Sequence, residues 1–290
     1  MRRDFIAAML LAAITMMVVG CNKEDIIVPI EPKEKVSRIY LTNTSIMEMY
    51  NDSTQTWDTM IYLASERILS CEFFWTGDRL DSMTQGVNKY FFTYDSRGRL
   101  IHVSEGNHQQ YFDIEYNTDG QVSRVYKCNL DGVDTVGKET YLFFWYDGKL
   151  QRLEDDIWAL DANDSGIKHA TLFYTWSGDN VSKAVCHSLY RDDSRDTVVY
   201  NYETNNLVNP FYGFPFWQLP YRKIIDTFYG TDGLNKNMLT RCYGDNMERR
   251  FEHTTTDGRV TGIHEVFTTM SAFGLSRSLI VSDFELEYVK

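Results

Sequence analysis

The chain has 290 residues, and 41 Asp and Glu outweigh 29 Lys and Arg to give a formal net charge of −12. So acidic a surface repels phosphate backbones, which excludes nucleic acid as a partner, and it disfavours lying flat on anionic lipid. The length is ample for a sizeable core in one large β domain or two small ones.

Residues 1–20 read as a secretory signal: Arg2 and Arg3, an apolar run from Phe5 to Val19, and small Gly20 before Cys21. The run is short for a membrane span of about 20 residues. Val18-Val19-Gly20-Cys21 resembles the lipobox of bacterial lipoproteins. That resemblance implies cleavage before Cys21, lipid on Cys21, and a membrane contact made by the anchor rather than by the domain surface. Residues 21–36 are charged, hold two of the five prolines and show no periodicity, so they read as a tether of roughly 45 Å if extended. Lys23-Glu24-Asp25 is similar to the acidic surface-export signal of lipoproteins from one phylum of Gram-negative gut anaerobes.

From residue 37 onward one pattern recurs: an aromatic strand, a tight turn with Gly or Asn, then Leu or Val opening the next strand. It appears at 73–80, 91–100, 112–122, 143–150, 173–181 and 199–207, with a weaker copy at 251–260. The Leu/Val landmarks from Leu80 to Leu207 are spaced 20, 22, 28, 31 and 26 residues apart, room for a hairpin and a connection. Gly77, Gly98, Gly120, Gly148, Gly178 and Gly258 supply the positive φ of hairpin turns. Alternation places Phe112, Ile114 and Tyr116 opposite Asp113 and Glu115, and Ile280, Phe284, Leu286 and Tyr288 opposite Asp283, Glu285 and Glu287. Tyr141-Leu142-Phe143-Phe144-Trp145 is apolar on both faces, which predicts central strands covered on both sides.

The Tyr94–Leu100 run is similar to the tyrosine–aspartate repeat of RHS-type shell proteins. Repeat order, lipobox and a Pro-aromatic insert together resemble an uncharacterised family of gut-anaerobe lipoproteins, which implies a fold and a location but no activity. The insert, 209–221, holds three prolines and six aromatics, Phe211, Tyr212, Phe214, Phe216, Trp217 and Tyr221, and its prolines bar it from a central strand. Tyr221, Ile224, Ile225 and Phe228 at helical spacing predict a short helix near 220–229. Phe211, Tyr212, Phe216 and Trp217 form a ligand platform if exposed. They form a plug if buried, and the cost of leaving so much apolar surface in water favours the plug.

Cys71, Cys128, Cys186 and Cys242 permit two disulfides in any of three connectivities, while Cys71 and Cys186 also suit the free buried thiols of an apolar strand. The six histidines show no metal-ligand spacing, and no nucleophile elbow or phosphate loop is present, so neither a metal nor a cofactor is expected. Asp161-x-Asn163-x-Ser165-Gly166 opens like a calcium loop, but position 12 is Leu172. Thr59, Ser82, Thr135 and Thr197 follow Asp in a three-residue pattern similar to the O-glycosylation site of the same bacteria.

The expected fold is all-β: a large curled antiparallel meander of successive hairpins over 37–290, with a closed or near-closed β-barrel as the alternative. The expected function is a lipid-anchored surface or periplasm-facing protein of the outer membrane that binds a glycan or protein without catalysis. The alternatives are a polysaccharide hydrolase with paired carboxylates and an outer-membrane barrel component.

Overall fold

A computed structural model describes residues 35–106, 110–131, 134–158, 167–213, 233–271 and 274–290. Seventeen antiparallel strands account for nearly all of them, and no described residue is helical. In chain order they are β1 (Val36–Asn51), β2 (Thr56–Ala64), β3 (Ile68–Thr76), β4 (Arg79–Gln85), β5 (Asn88–Tyr94), β6 (Leu100–Glu105), β7 (Gln110–Tyr116), β8 (Val122–Asp131) and β9 (Asp134–Tyr146). The second half comprises β10 (Lys149–Trp158), β11 (Ile167–Ser177), β12 (Asn180–Tyr190), β13 (Arg195–Val208), β14 (Asn237–Gly244), β15 (Met247–Thr256), β16 (Arg259–Met270) and β17 (Ser276–Tyr288).

From β3 to β17 each strand pairs with the next, and β17 then pairs with β1 from Val36↔Tyr288 to Met49↔Ser276. On its other edge β1 meets β3 through Arg38–Leu41 and β2 through Thr44–Asn51. Strands β2 and β3 therefore share one position, and the sheet closes as a barrel of 16 positions. The open meander is corrected to the closed barrel named as its alternative. A sheet this long buries its edges by closure.

The repeat's aromatic, turn glycine and Leu or Val acquire a physical meaning at one end of the barrel, the lower end, where Val36 and Tyr288 lie. The six anticipated glycines have φ between 58° and 80°. The Leu or Val after each turn faces inward and is buried, as Leu80, Leu100, Val122, Leu150, Val181 and Val260 are. In five of the six the carbonyl accepts a hydrogen bond from the aromatic that ends the following down-running strand: Tyr94 to Leu80 at 2.8 Å, Tyr116 to Leu100 at 2.7 Å, Trp145 to Val122 at 2.6 Å and Trp176 to Leu150 at 2.8 Å. Tyr288 closes the series on Val260 at 2.5 Å. Before four of the six landmarks a basic residue lies over the same ring, Arg79 on Tyr94, Arg99 on Tyr116, Lys149 on Trp176 and Arg259 on Tyr288. Gly-Arg-Leu thus encodes turn, ring cover and core anchor in three consecutive residues.

Two readings change. The 199–207 segment is not a hairpin: it lies within β13, where no glycine allows a reversal and Asn205 Oδ1 accepts from Leu207 N beside a register shift. Strand β9 is covered on one face only. Tyr141 and Phe143 are buried inside, whereas Phe144 faces outward beneath the Arg152 guanidinium, 3.9 Å from the ring centroid. The expected alternation of β7 and β17 holds, with Phe112, Ile114, Phe284 and Leu286 buried.

The core is the barrel's own interior. Tyr90, Phe92, Phe112, Tyr141, Phe143, Tyr174, Tyr200, Tyr202, Phe251 and Phe284 fill it from positions all round the wall. Walls of 16 strands can surround an aqueous channel; here large aromatics occupy that space. The outer face is mixed: cross-strand ion pairs such as Arg38–Glu72, Arg67–Glu285, Arg124–Glu115 and Arg241–Glu248 share it with exposed Phe74, Phe91, Phe144 and Phe173.

Candidate functional site

The apolar filling gives way to polar groups toward the upper end. On adjacent strands Ile263 and Phe284 form one inward row, and Glu265, Ser282 and Asn43 form the next one above it. Arg249, reaching across from β15, donates from Nη1 to Glu265 Oε1 at 2.7 Å. The two side chains are 9% and 4% exposed, so the pair is a buried one. The Arg249 guanidinium also lies 3.9 Å from the Phe267 ring centroid. Ser282 Oγ donates to Asn43 Oδ1 at 3.3 Å.

Beside this pair is a cavity of about 280 Å³. Its polar lining is Asn43, Ser70, Gln85 and Ser282 together with the ion pair, and its apolar lining is Leu41, Phe267, Ile280 and Phe284. Gln85 ends β4, so the cavity lies at the height of the low rim, against the taller wall made by β15, β16, β17 and β1. Above it the β1–β2 hairpin continues with Met47, Met49, Ile61 and Leu63 exposed. Two further interior polar contacts are Tyr90 with Glu105 at 3.4 Å and Lys127 with Glu139 at 2.7 Å.

Chemically the cavity offers two amides, two hydroxyls, aromatic faces and a neutralised ion pair. It holds one carboxylate, Glu265, which Arg249 occupies, so the two carboxyl groups of a glycosidase are not assembled there. No cluster of three or more His, Cys, Asp or Glu suited to a metal occurs among the described residues. The cysteines Cys71, Cys128, Cys186 and Cys242 are free thiols. Burial pushes Cys71 and Cys242 up to about 12, so neither is a thiolate at neutral pH.

The anticipated site residues are scattered. Phe211 is buried and Tyr212 half-buried in the insert at the lower end, far from the cavity; Phe216, Trp217 and the helix near 220–229 lie outside the described residues. The insert's limbs join through Asn209 N to Lys236 O at 2.9 Å and Gly213 N to Gly233 O at 3.0 Å. Asn235 Oδ1 accepts from Val181 N at 2.7 Å, and Lys236 pairs with Asp179 at 2.8 Å, seating the insert on the β11–β12 turn. Thr59 and Thr197 are exposed, the latter 2.9 Å from His187 Nδ1. Ser82 is buried between Phe74 and Phe91 of one outward row, out of reach of a transferase in the folded barrel. Thr135 lies on β9, and Cys21 and the Asp161 loop lie outside the described residues.

Asn43, Gln85, Arg249, Glu265 and Ser282 escape a motif search because they come from five separate strands. A signal was present: in Ile263-His264-Glu265-Val266-Phe267 a carboxylate interrupts the inward apolar alternation.

No family model matches this chain, and no curated protein matches it. Among solved structures it is similar to a porin-like protein from Bacteroides vulgatus, solved at 2.80 Å resolution, with a TM-score of 0.53 and 8% identity over 89% of this chain and 99% of that one. At this identity the likeness is one of fold, a closed antiparallel β-barrel.

Proposed function

We propose that this chain is an outer-membrane protein whose barrel stands in water, held by lipid on Cys21, and binds a ligand in its upper cavity without catalysis. The observation that carries the reading is the outward face. At mid-strand it presents Glu72, Asp113, Arg124, Arg152, Lys183, Glu203, Arg241, Arg250, Asp283 and Glu285, charges interspersed with the exposed rings of Phe74, Phe91, Phe144 and Phe173. Each Arg or Lys on a lipid-facing midplane costs about 2–4 kcal/mol, and a spanning barrel carries an apolar band instead. The packed interior also supports binding over conduction, since aromatics occupy the path a solute would take. A lipid anchor is what a water-facing domain needs to stay at a membrane.

The second reading, an outer-membrane barrel component, is supported by the likeness to the porin-like protein. The two part in cells. Wild-type chain should incorporate labelled palmitate and fractionate with the outer membrane, and Cys21→Ala should lose the label and leave the membrane as a folded soluble protein. If the Cys21→Ala chain resists a carbonate wash and shows heat-modifiable migration, the barrel component is the correct reading.

A further inference from the structure

We propose that the cavity between Arg249, Glu265, Asn43, Gln85 and Phe267 is a binding site for one neutral sugar residue, free or at the end of a glycan. The inference rests on the reading of this barrel as a binding protein and names its ligand class.

Charge sets the first constraint. Arg249 and Glu265 are both within the lining and cancel each other through a 2.7 Å contact. An anionic ligand meets the Glu265 carboxylate, and a cationic one meets the Arg249 guanidinium, whose face is already covered by Phe267. Displacing either partner leaves an uncompensated buried charge. The site therefore selects for a neutral molecule.

Hydrogen-bonding chemistry sets the second. Asn43 and Gln85 each carry an amide that both donates and accepts, and Ser70 and Ser282 carry hydroxyls that do the same. Such a set matches a ligand whose own groups are hydroxyls, each donor and acceptor at once. Interleaved with these groups on the same wall are Leu41 and Phe284 one inward row below Asn43 and Ser282, and Ile280 and Phe267 one row above them. A pyranose has apolar C–H faces and hydroxyls around its rim, so one ring meets both the apolar and the polar rows of the lining.

Size sets the third. About 280 Å³ lies just under the roughly 300–1,000 Å³ of drug-sized sites. It holds one ring, and further residues of a glycan leave upward along the exposed Met47, Met49, Ile61 and Leu63 of the β1–β2 hairpin. Flexible methionines suit such a loosely specified contact.

The test is calorimetric titration of the purified full chain, solubilised with its anchor, against glucose, galactose, mannose, N-acetylglucosamine, their β-linked disaccharides, glucuronate and glucosamine. At least one neutral sugar should bind with a Kd of about 1 mM or tighter. It should do so at least tenfold better than the charged sugars, and binding should fall at least tenfold in Asn43→Ala and in Gln85→Ala with the thermal melt preserved. A disaccharide that binds more tightly than its monosaccharide identifies a glycan terminus as the source; equal binding identifies the free sugar. No binding across the panel, preference for a charged sugar, or binding unchanged in both folded variants overturns the proposal. Those failures are separate from failure of the water-facing reading, which membrane fractionation decides without any ligand.

Discussion

Arg249 and Glu265 mark the place where an apolar interior turns polar, and their energetics follow from burial on both sides. A buried pair contributes little net stability, because desolvation offsets attraction, yet removing one partner alone costs about 3–5 kcal/mol. Glu265→Gln should therefore lower stability by about that much in denaturant titration, while the double replacement Arg249→Met/Glu265→Leu should recover most of it. A double variant as unstable as the single one would show that the site tolerates no apolar substitute and that polar partners beyond this pair hold it. At this scale the sequence was readable in its inward aromatics and turn glycines, whose roles depend on neighbours two to ten residues away. The cavity residues were not, because Asn43 meets Ser282 across 239 positions and only closure of the barrel joins them.

Hairpins here are bound to their neighbours by the rings that end β5, β7, β9, β11 and β17. Tyr94 holds the Leu80 carbonyl from the next hairpin, and Arg79 covers the same ring at 5.1 Å from its centroid. Tyr94→Phe keeps the ring and removes the hydrogen bond, so it should cost about 0.5–1.5 kcal/mol, readable as a shifted urea midpoint with unchanged slope. Gly98, at φ +78° with open space where a Cβ would go, isolates backbone strain. Gly98→Ala should cost about 1–2 kcal/mol and shift the melt accordingly; a neutral Gly98→Ala would mean that the turn relaxes and does not fix the hairpin. The repeat was legible as an element because turn chemistry is local. Its purpose was hidden, since a tyrosine's hydrogen bond to the preceding hairpin's carbonyl leaves no mark except the recurrence itself. Strand β13 was misread because an Asn-Asn pair looks like a turn, whereas here Asn205 and Asn206 form a bulge that the pairing with β14 skips between Thr204↔Leu239 and Val208↔Asn237.

For the whole molecule, the decisive property is which face of the wall meets water. Alternation gave strands such as β7 and β17 one apolar and one charged side, but a meander and a barrel share that pattern, and closure depends on β17 finding β1 across more than two hundred residues. The same alternation occurs in membrane barrels with the two faces exchanged, so fold similarity to a porin-like protein leaves location open. Charge at mid-height on the outer face argues for water, and aromatics inside argue against a conducting lumen. The direct measurement is aqueous labelling of single cysteines placed at the middle of outward faces, Phe91→Cys on β5 and Glu252→Cys on β15, both exposed positions, in a Cys186→Ser background whose remaining barrel thiols are buried. In intact isolated outer membranes a membrane-impermeant maleimide should label both sites as fast as it does after detergent solubilisation. Protection of both sites until the bilayer is dissolved would contradict the account and place this wall in lipid.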